Sequence, residues 1–360
     1  MEPTAPGADP QPQRPPEVVT AAQPPANEPV VALDAMGGDA MPQAAVEGAI
    51  QAHLAGHRVV LVGDEAVLRP ELERLGGVPL EVVHASDVIA MEEHAADVRR
   101  RRDSSIMVGM RLVKEGRADA CVSMGHSGAT MAAALLVLGR LPGVDRPAIL
   151  ANIPRDSGFL ALLDAGANAD CKPAWLQQFA LMGSAYVESV WGVAQPKVGL
   201  MSIGEEAHKG NELVRETHGL LAATPGLRFH GNVEGRDLFS DLVDVVVTDG
   251  FTGNVILKLA EGEARALFGW VREALRSDLR SSLGGLLVRP ALKRVAARMD
   301  PAEYGAQPLL GVGGYAFIGH GSADARAVAS AVRTARQAVR AGALERLVTA
   351  LEAARPSAPS

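Results

Sequence analysis

From Val30 onward, short apolar runs alternate with stretches of helical length. Residues 30–34, 58–63, 118–123, 159–164, 197–203 and 243–248 are rich in Val, Leu, Ile and Ala. They end in, or run straight into, glycine or polar residues, as buried strands do. Between them lie segments such as 131–138, 173–190 and 211–223, which have the length and pattern of helices. This alternation predicts an α/β fold, a mostly parallel sheet sandwiched by helices. In such folds ligands bind beyond the carboxyl ends of the strands.

The strand ends carry the polar chemistry. The first runs Asp34-Ala-Met-Gly37-Gly38-Asp39, with Pro42 suited to the first turn of a helix. Ser123-Met-Gly125-His126-Ser127-Gly128-Ala129 follows the third run, and Leu163-Asp164-Ala-Gly166-Ala-Asn168 the fourth. The last two are Gly204-Glu-Glu-Ala-His-Lys209-Gly-Asn211 and Asp249-Gly-Phe-Thr252-Gly253-Asn254. Glycine lets a ligand approach the main chain, and the N–H groups at a helix start attract anions. Side by side, these loops would surround a phosphate-sized anion with main-chain donors, amides, hydroxyls and one lysine. The plainer alternative is that glycines and Asx residues only end strands and cap helices. Five such loops on the ligand side favour a site.

Glu205 and Glu206 lack the further carboxylates or histidines that a metal site needs. Asp39, Asp164 and Asp249 are expected to fix loop N–H groups. No metal and no cofactor is therefore expected.

Composition narrows the classes. The chain has 360 residues, 48% hydrophobic, with a net charge of −7, which does not suit a nucleic-acid binder. Cys121 and Cys171 are the only cysteines, which fits a reducing, cytoplasmic setting. Residues 1–29 hold nine prolines and no apolar period, so a disordered tail is expected there, with 348–360 as a short C-terminal tail. The first residues lack the basic start and apolar stretch of a signal peptide, and no membrane span is expected.

A serine hydrolase is a rival reading. Gly125-His-Ser127-Gly-Ala129 lies close to a Gly-x-Ser-x-Gly nucleophile elbow, and Asp249 and His320 follow in hydrolase order. Ala129 breaks that pattern, and the other loops stay unexplained. A decarboxylating dehydrogenase would need an arginine cluster and metal-binding aspartates that are not visible. A coenzyme A-dependent phosphotransacetylase stays open, and a non-catalytic lipid or carrier-protein binding module explains least.

In order, the loops resemble those of the phosphate acyltransferase (PlsX) family of bacterial phospholipid synthesis. The matching stretches are residues 34–39, 102–105, 163–168, 204–206 with 209–211, 231–237, 249–254 and 308–311, and the similarity spans 30–347. The resemblance implies a fold like those of isocitrate and isopropylmalate dehydrogenases and phosphotransacetylases. It also implies transfer of a fatty acyl group from acyl carrier protein to inorganic phosphate, giving acyl phosphate for phosphatidic acid synthesis. A homodimer and peripheral attachment to the inner membrane face are implied in the same way. The family's usual Gly-Asn-Thr-Gly-Ala-Leu is here Gly125-His126-Ser127-Gly128-Ala129-Thr130. Ser127 keeps a hydroxyl, while His126 brings a charge that depends on pH.

For that reaction, phosphate is already an anionic nucleophile and a thiol leaves readily. The main need is a cation and donors near the developing oxyanion. Lys209 is the expected cation and Asn254 the expected donor. Asp34, Gly37, Gly38, Asp39, His126, Ser127 and Gly128 are expected around phosphate or substrate, as are Asn168, Asn211, Asp249, Thr252, Gly253 and His320.

Residues 265–300 stop alternating and predict a helical hairpin joined near Gly284-Gly285, with Leu283, Leu286, Leu287 and Val288 at an apolar tip. Eight basic residues, among them Arg289, Lys293, Arg294 and Arg298, face two acidic ones between 265 and 298. The tip is expected to touch an anionic membrane surface while the basic flank attracts acidic carrier protein. The alternative is an ordinary hairpin at a subunit interface.

Overall fold

A computed structural model describes residues 24–155 and 157–354. The first half of the chain winds as β1 (Val30–Asp34), α1 (Gln43–Leu54), β2 (Arg58–Gly63), α2 (Glu65–Arg74) and β3 (Glu81–His84). A loop of about twenty residues leads to α3 (Ser105–Lys114), β4 (Ala120–Ser123), α4 (Ser127–Val137) and β5 (Ala148–Ile149). The chain then crosses to a second sheet through β6 (Ala151–Arg155) and β7 (Gly158–Leu163). There it continues as α5 (Pro173–Trp191), β8 (Val198–Met201), α6 (Glu212–Ala222), β9 (Phe229–Val233) and β10 (Val245–Val247). Two long helices follow, α7 (Gly250–Ala274) and α8 (Leu279–Arg298). The chain returns to the first sheet as β11 (Ala306–Leu310) and β12 (Tyr315–Gly319), and closes with α9 (Ala325–Arg340) and α10 (Ala343–Ala353).

The expected sheet is thus two sheets. One has seven strands in the order β3-β2-β1-β4-β12-β11-β5, the other five in the order β6-β7-β10-β8-β9. Within the first, β3, β2, β1, β4 and β12 run parallel, and β11 lies antiparallel to both β12 and β5. Within the second, β7, β10, β8 and β9 are parallel, with β6 an antiparallel edge. The central strands are fully apolar because helices cover both faces. Val31, Leu33, Leu61, Val245 and Val247 are all buried. Helix α9 shows the matching periodicity, with Ala327, Val328, Ala331, Val332, Ala335 and Ala338 all buried.

Three boundaries differ from expectation. Residues 24–28 are held rather than free, while 1–23 lie outside the described residues. The buried Glu28 carboxylate accepts from Arg336 and Arg340, and Ala26 O accepts from Arg58 Nη1 at 2.9 Å. A single carboxylate between two arginines leaves no trace in apolar periodicity. At the other end the chain is helical to Ala353, because Leu347 and Leu351 of α10 bury one turn apart. The hairpin also turns at residues 275–278, not at Gly284-Gly285, which lie inside α8. Asp278 caps α8, its Oδ1 accepting from Arg280 N and Ser281 N at 2.8 and 2.9 Å. That is a helix start signal stronger than a pair of glycines.

Candidate active site

The two sheets meet where β5 gives way to β6. Ile149 N donates to Asp164 Oδ1 at 3.0 Å, and Ala165 N donates to Ile149 O at 3.0 Å. Above this junction the carboxyl ends of β4, β7, β10 and β12 surround a cavity of about 680 Å³.

Three aspartates build its walls from within the loops, much as their positions after strands suggest. Asp34 is buried; its Oδ1 accepts from Met36 N and Gly37 N and its Oδ2 from Ser123 Oγ at 2.7 Å. Asp164 is fully buried and accepts from Ile149 N, Gly166 N and Ala167 N on Oδ1, and from Asn168 N and Asn168 Nδ2 on Oδ2. Burial pushes the Asp164 carboxyl above the usual carboxylate range, while these N–H donors pull it back. Asp249 caps α7, accepting from Thr252 N and Thr252 Oγ1 at 2.8 Å each. With their oxygens occupied, these three carboxylates shape loops.

The glycines allow the loops to close on one another. A Cβ on Gly37 would stand 2.9 Å from Gly125 Cα, so the first and second loops touch backbone to backbone. Asp39 N donates to Gly321 O at 2.8 Å, tying the first loop to the one after β12. Gly250 N donates to Asn168 O at 2.7 Å, and a Cβ on Gly253 would lie only 1.9 Å from Asp164 O. The start of α7 is thereby seated directly on the Asp164 loop. Gly166 in turn lies against the Asn254 side chain.

The result is a ring of neighbours: Gly125, Gly37, Gly321, His320, Lys258, Asn254 and Gly166. Four of the five predicted loops contribute. Ser127, Asn254 and His320 line the cavity directly. Gly38, at a φ of 117°, packs near Gly321 O, and Asp39 is exposed beside Gly321.

Other expected site residues have structural duties. His126 caps α4, its Nδ1 accepting from Ala129 N at 3.2 Å, and its ring packs near Gly128. Asn168 is taken up by Asp164 and by Pro147 O, and Asn211 caps α6 through Val214 N. The structure does not bring Lys209 into the cavity lining. It is exposed on the loop after β8, where its N–H donates to Glu206 O at 2.9 Å and Asn232 Nδ2 holds the same carbonyl at 2.8 Å. The lysine that does line the cavity is Lys258, which the sequence reading missed. Its signal was present: it follows Asn254 by four residues on one helix face.

No serine triad forms among the described residues. Asp249 is bound to Thr252, and His320 pairs with Ser322 and Lys258. Burial pushes the Cys171 thiol up to about 12 and the Cys121 thiol higher still, so neither is poised as a nucleophile.

Beyond the ring the lining is mixed. Leu257, Ala260 and Ala264 on one face of α7, with Ile153, Pro154 and Phe239, give it an apolar strip beside the charged Glu261, Arg265, Asp300 and Arg326. No helix among the described residues is long and apolar enough to cross a membrane.

Residues 30–346 match the family model described as "Fatty acid synthesis protein". A phosphate acyltransferase of Thermus thermophilus is 60% identical over 323 residues, covering 90% of this chain and 98% of that protein. One from Deinococcus radiodurans is 61% identical over 277 residues, 76% of this chain and 77% of that protein. Among solved structures, a phosphotransacetylase from Streptococcus pyogenes superposes with a TM-score of 0.60 at 16% identity, covering 88% of this chain and 95% of that one. A branched-chain phosphotransacylase from Enterococcus faecalis gives 0.56 at 14% identity, covering 86% and 98%. These two likenesses show the fold.

Proposed function

The chain belongs to the phosphate acyltransferase (PlsX) family of fatty acid synthesis and is an acyltransferase, and we propose that it moves a fatty acyl group from acyl carrier protein to inorganic phosphate. An oxygen of hydrogenphosphate attacks the thioester carbonyl carbon. The C–O bond forms, the C–S bond breaks with its electron pair on sulfur, and the phosphate's proton passes to the thiolate. Acyl phosphate and the free carrier thiol are the products, the former destined for phosphatidic acid.

The observation that carries this reading is the make-up of the cavity, where a ring of main-chain and polar groups adjoins an apolar wall along α7. The ring suits phosphate and the reacting carbonyl, and the apolar wall suits an acyl chain. Asn254 donates to the developing oxyanion. Lys209, exposed on the loop after β8, supplies positive charge toward the anionic donor. Ser127 and His320 contact substrate, and the Asp34, Asp164 and Asp249 loops hold these groups in place. Fixing two reactants in line can contribute about 7–11 kcal/mol, which explains a site without an acid–base dyad.

The hairpin has a second role in this proposal. Helix α8 buries none of its residues, and Leu286 and Leu287, in the middle of that helix, are 66% and 78% exposed. They dip into an anionic membrane surface, with Arg289, Lys293, Arg294 and Arg298 behind them. Each Lys or Arg near such a surface contributes about 1 kcal/mol. The exposed Leu259, Leu267 and Trp270 on the shaft of α7 fit a second copy of the chain, giving a homodimer. The protein then works in the cytoplasm, attached peripherally to the inner membrane face.

The test is incubation of purified protein with acyl carrier protein thioester, with and without phosphate, measuring free thiol. Thiol release that needs phosphate supports the reading. Equal release in both conditions means hydrolysis and refutes it.

A further inference from the structure

Helix α7 turns a polar row toward the cavity: Asn254, Lys258, Glu261 and Arg265. Lys258 is the member held from two sides. Its Nζ lies 3.1 Å from Glu261 Oε2 on its own helix and 3.5 Å from His320 Nε2 on the loop after β12. The other ring nitrogen, His320 Nδ1, is 2.9 Å from Ser322 Oγ. Ser322 N also donates to Nδ1 at 3.3 Å, so the ring is held by its own loop, with Nε2 facing the Lys258 ammonium as a fixed stop for the lysine.

Glu261 balances the lysine's charge and His320 stands beside Nζ, while the half-exposed ammonium keeps donors free to face the cavity. One turn along the helix stands Asn254, and Gly125 and Gly321 line the same cavity. A cation aimed by one group from each sheet, beside the oxyanion donor, marks where a small dianion would be held. Lys209, outside the cavity lining, has no such seat.

We infer that Lys258, positioned by His320 and Glu261, binds the attacking phosphate in the cavity. The inference rests on the acyl-to-phosphate reading for the identity of the nucleophile. Lys258 is then a substrate-binding residue and His320 a positioning residue acting through it. The same chemistry would also recognise the phosphodiester of a pantetheine arm, and the experiment separates the two sources.

The experiment uses the full chain and its Lys258→Met variant, which keeps the apolar stem and removes the charge. The KM for phosphate should rise about tenfold or more, the cost of one charge-assisted hydrogen bond. The KM for the acyl donor should stay within about twofold of the parent value, by the same reasoning. Lys258→Arg should recover part of the phosphate affinity, and His320→Phe should weaken it less than Lys258→Met. Inorganic phosphate alone should also raise the melting temperature of the parent protein but not of Lys258→Met. That readout needs no acyl donor. If the parent makes no acyl phosphate yet shows a Lys258-dependent phosphate shift, the site stands and the reaction reading fails. If Lys258→Met keeps the parent KM and shift for phosphate, or raises only the donor's KM, the inference is overturned. His320→Phe leaving phosphate affinity unchanged would overturn the positioning role.

Discussion

Gly253→Ala is a sharp probe of how this site is assembled. The residue is helical, so alanine suits its backbone, and on propensity alone the change should stabilise α7. Its Cβ, however, would sit 1.9 Å from Asp164 O and 3.0 Å from the Asp164 carbonyl carbon, where ordinary contact begins near 3.4 Å. Asp164 cannot retreat, because its carboxylate takes main-chain N–H bonds from residues 149, 166, 167 and 168. The start of α7 must therefore lift by about 1.5 Å, carrying Asn254 and Lys258 with it. A displacement of about 1 Å can cost on the order of a hundredfold in rate, so kcat/KM should fall by roughly that factor. Overpacking should lower stability by about 1–3 kcal/mol, which leaves the protein folded. Gly262→Ala is the control on the same helix, since a Cβ there meets nothing within 4 Å. It should keep full activity and gain about 0.5–1 kcal/mol. Thiol release and thermal unfolding on both variants provide the comparison. A folded Gly253→Ala protein with parental kcat/KM would refute the seating of α7 on the Asp164 loop.

Asn254→Ala and Lys209→Ala should each lower turnover by about a hundredfold with circular dichroism unchanged, while Ser127→Ala should do much less; a dead Ser127→Ala beside an active Lys209→Ala would reverse these roles. Changing Leu286 and Leu287 together to Glu should sharply reduce co-sedimentation with anionic vesicles, and high salt should weaken binding of the parent protein; a parent that ignores such vesicles would refute the membrane role of the hairpin. Hydrogen bonding to Arg101, aided by its charge, holds the Asp87 carboxyl below the usual carboxylate range. That pairing contributes fully above about pH 4 and is lost as pH falls through the depressed value. Limited proteolysis should therefore find residues 85–104 more open in acid, and Arg101→Ala should remove this difference.

Much of this was legible in the chain because buried parallel strands have a loud signature. Residues 58–63 and 159–164 announce themselves by apolar content alone. The polar loops could be read too, since Asp34, Asp164 and Asp249 stand at strand ends beside glycines. Strands such as β3, β9 and β11 were silent: they are short, partly exposed or interrupted by glycine or proline. Division into two sheets was equally hidden, for it depends on a crossing at Leu150 in the middle of one apolar stretch. Within the site, residue type was a poor guide to direction. Lys209 sits in a glycine-rich loop outside the cavity lining, whereas Lys258 lies inside an ordinary helical pattern and lines the cavity. His126 and Asn211 resemble ligands in sequence and act as helix caps in the fold, because an exposed N–H at a helix start is satisfied by the nearest acceptor.

Running the reaction in phosphate fully labelled with oxygen-18 and following the acyl product by mass spectrometry tests the central claim most directly. Attack by phosphate predicts acyl phosphate carrying the full label, formed in equal amount with the free carrier thiol. Unlabelled free fatty acid released in step with the thiol, with no acyl phosphate at any time, would contradict the account.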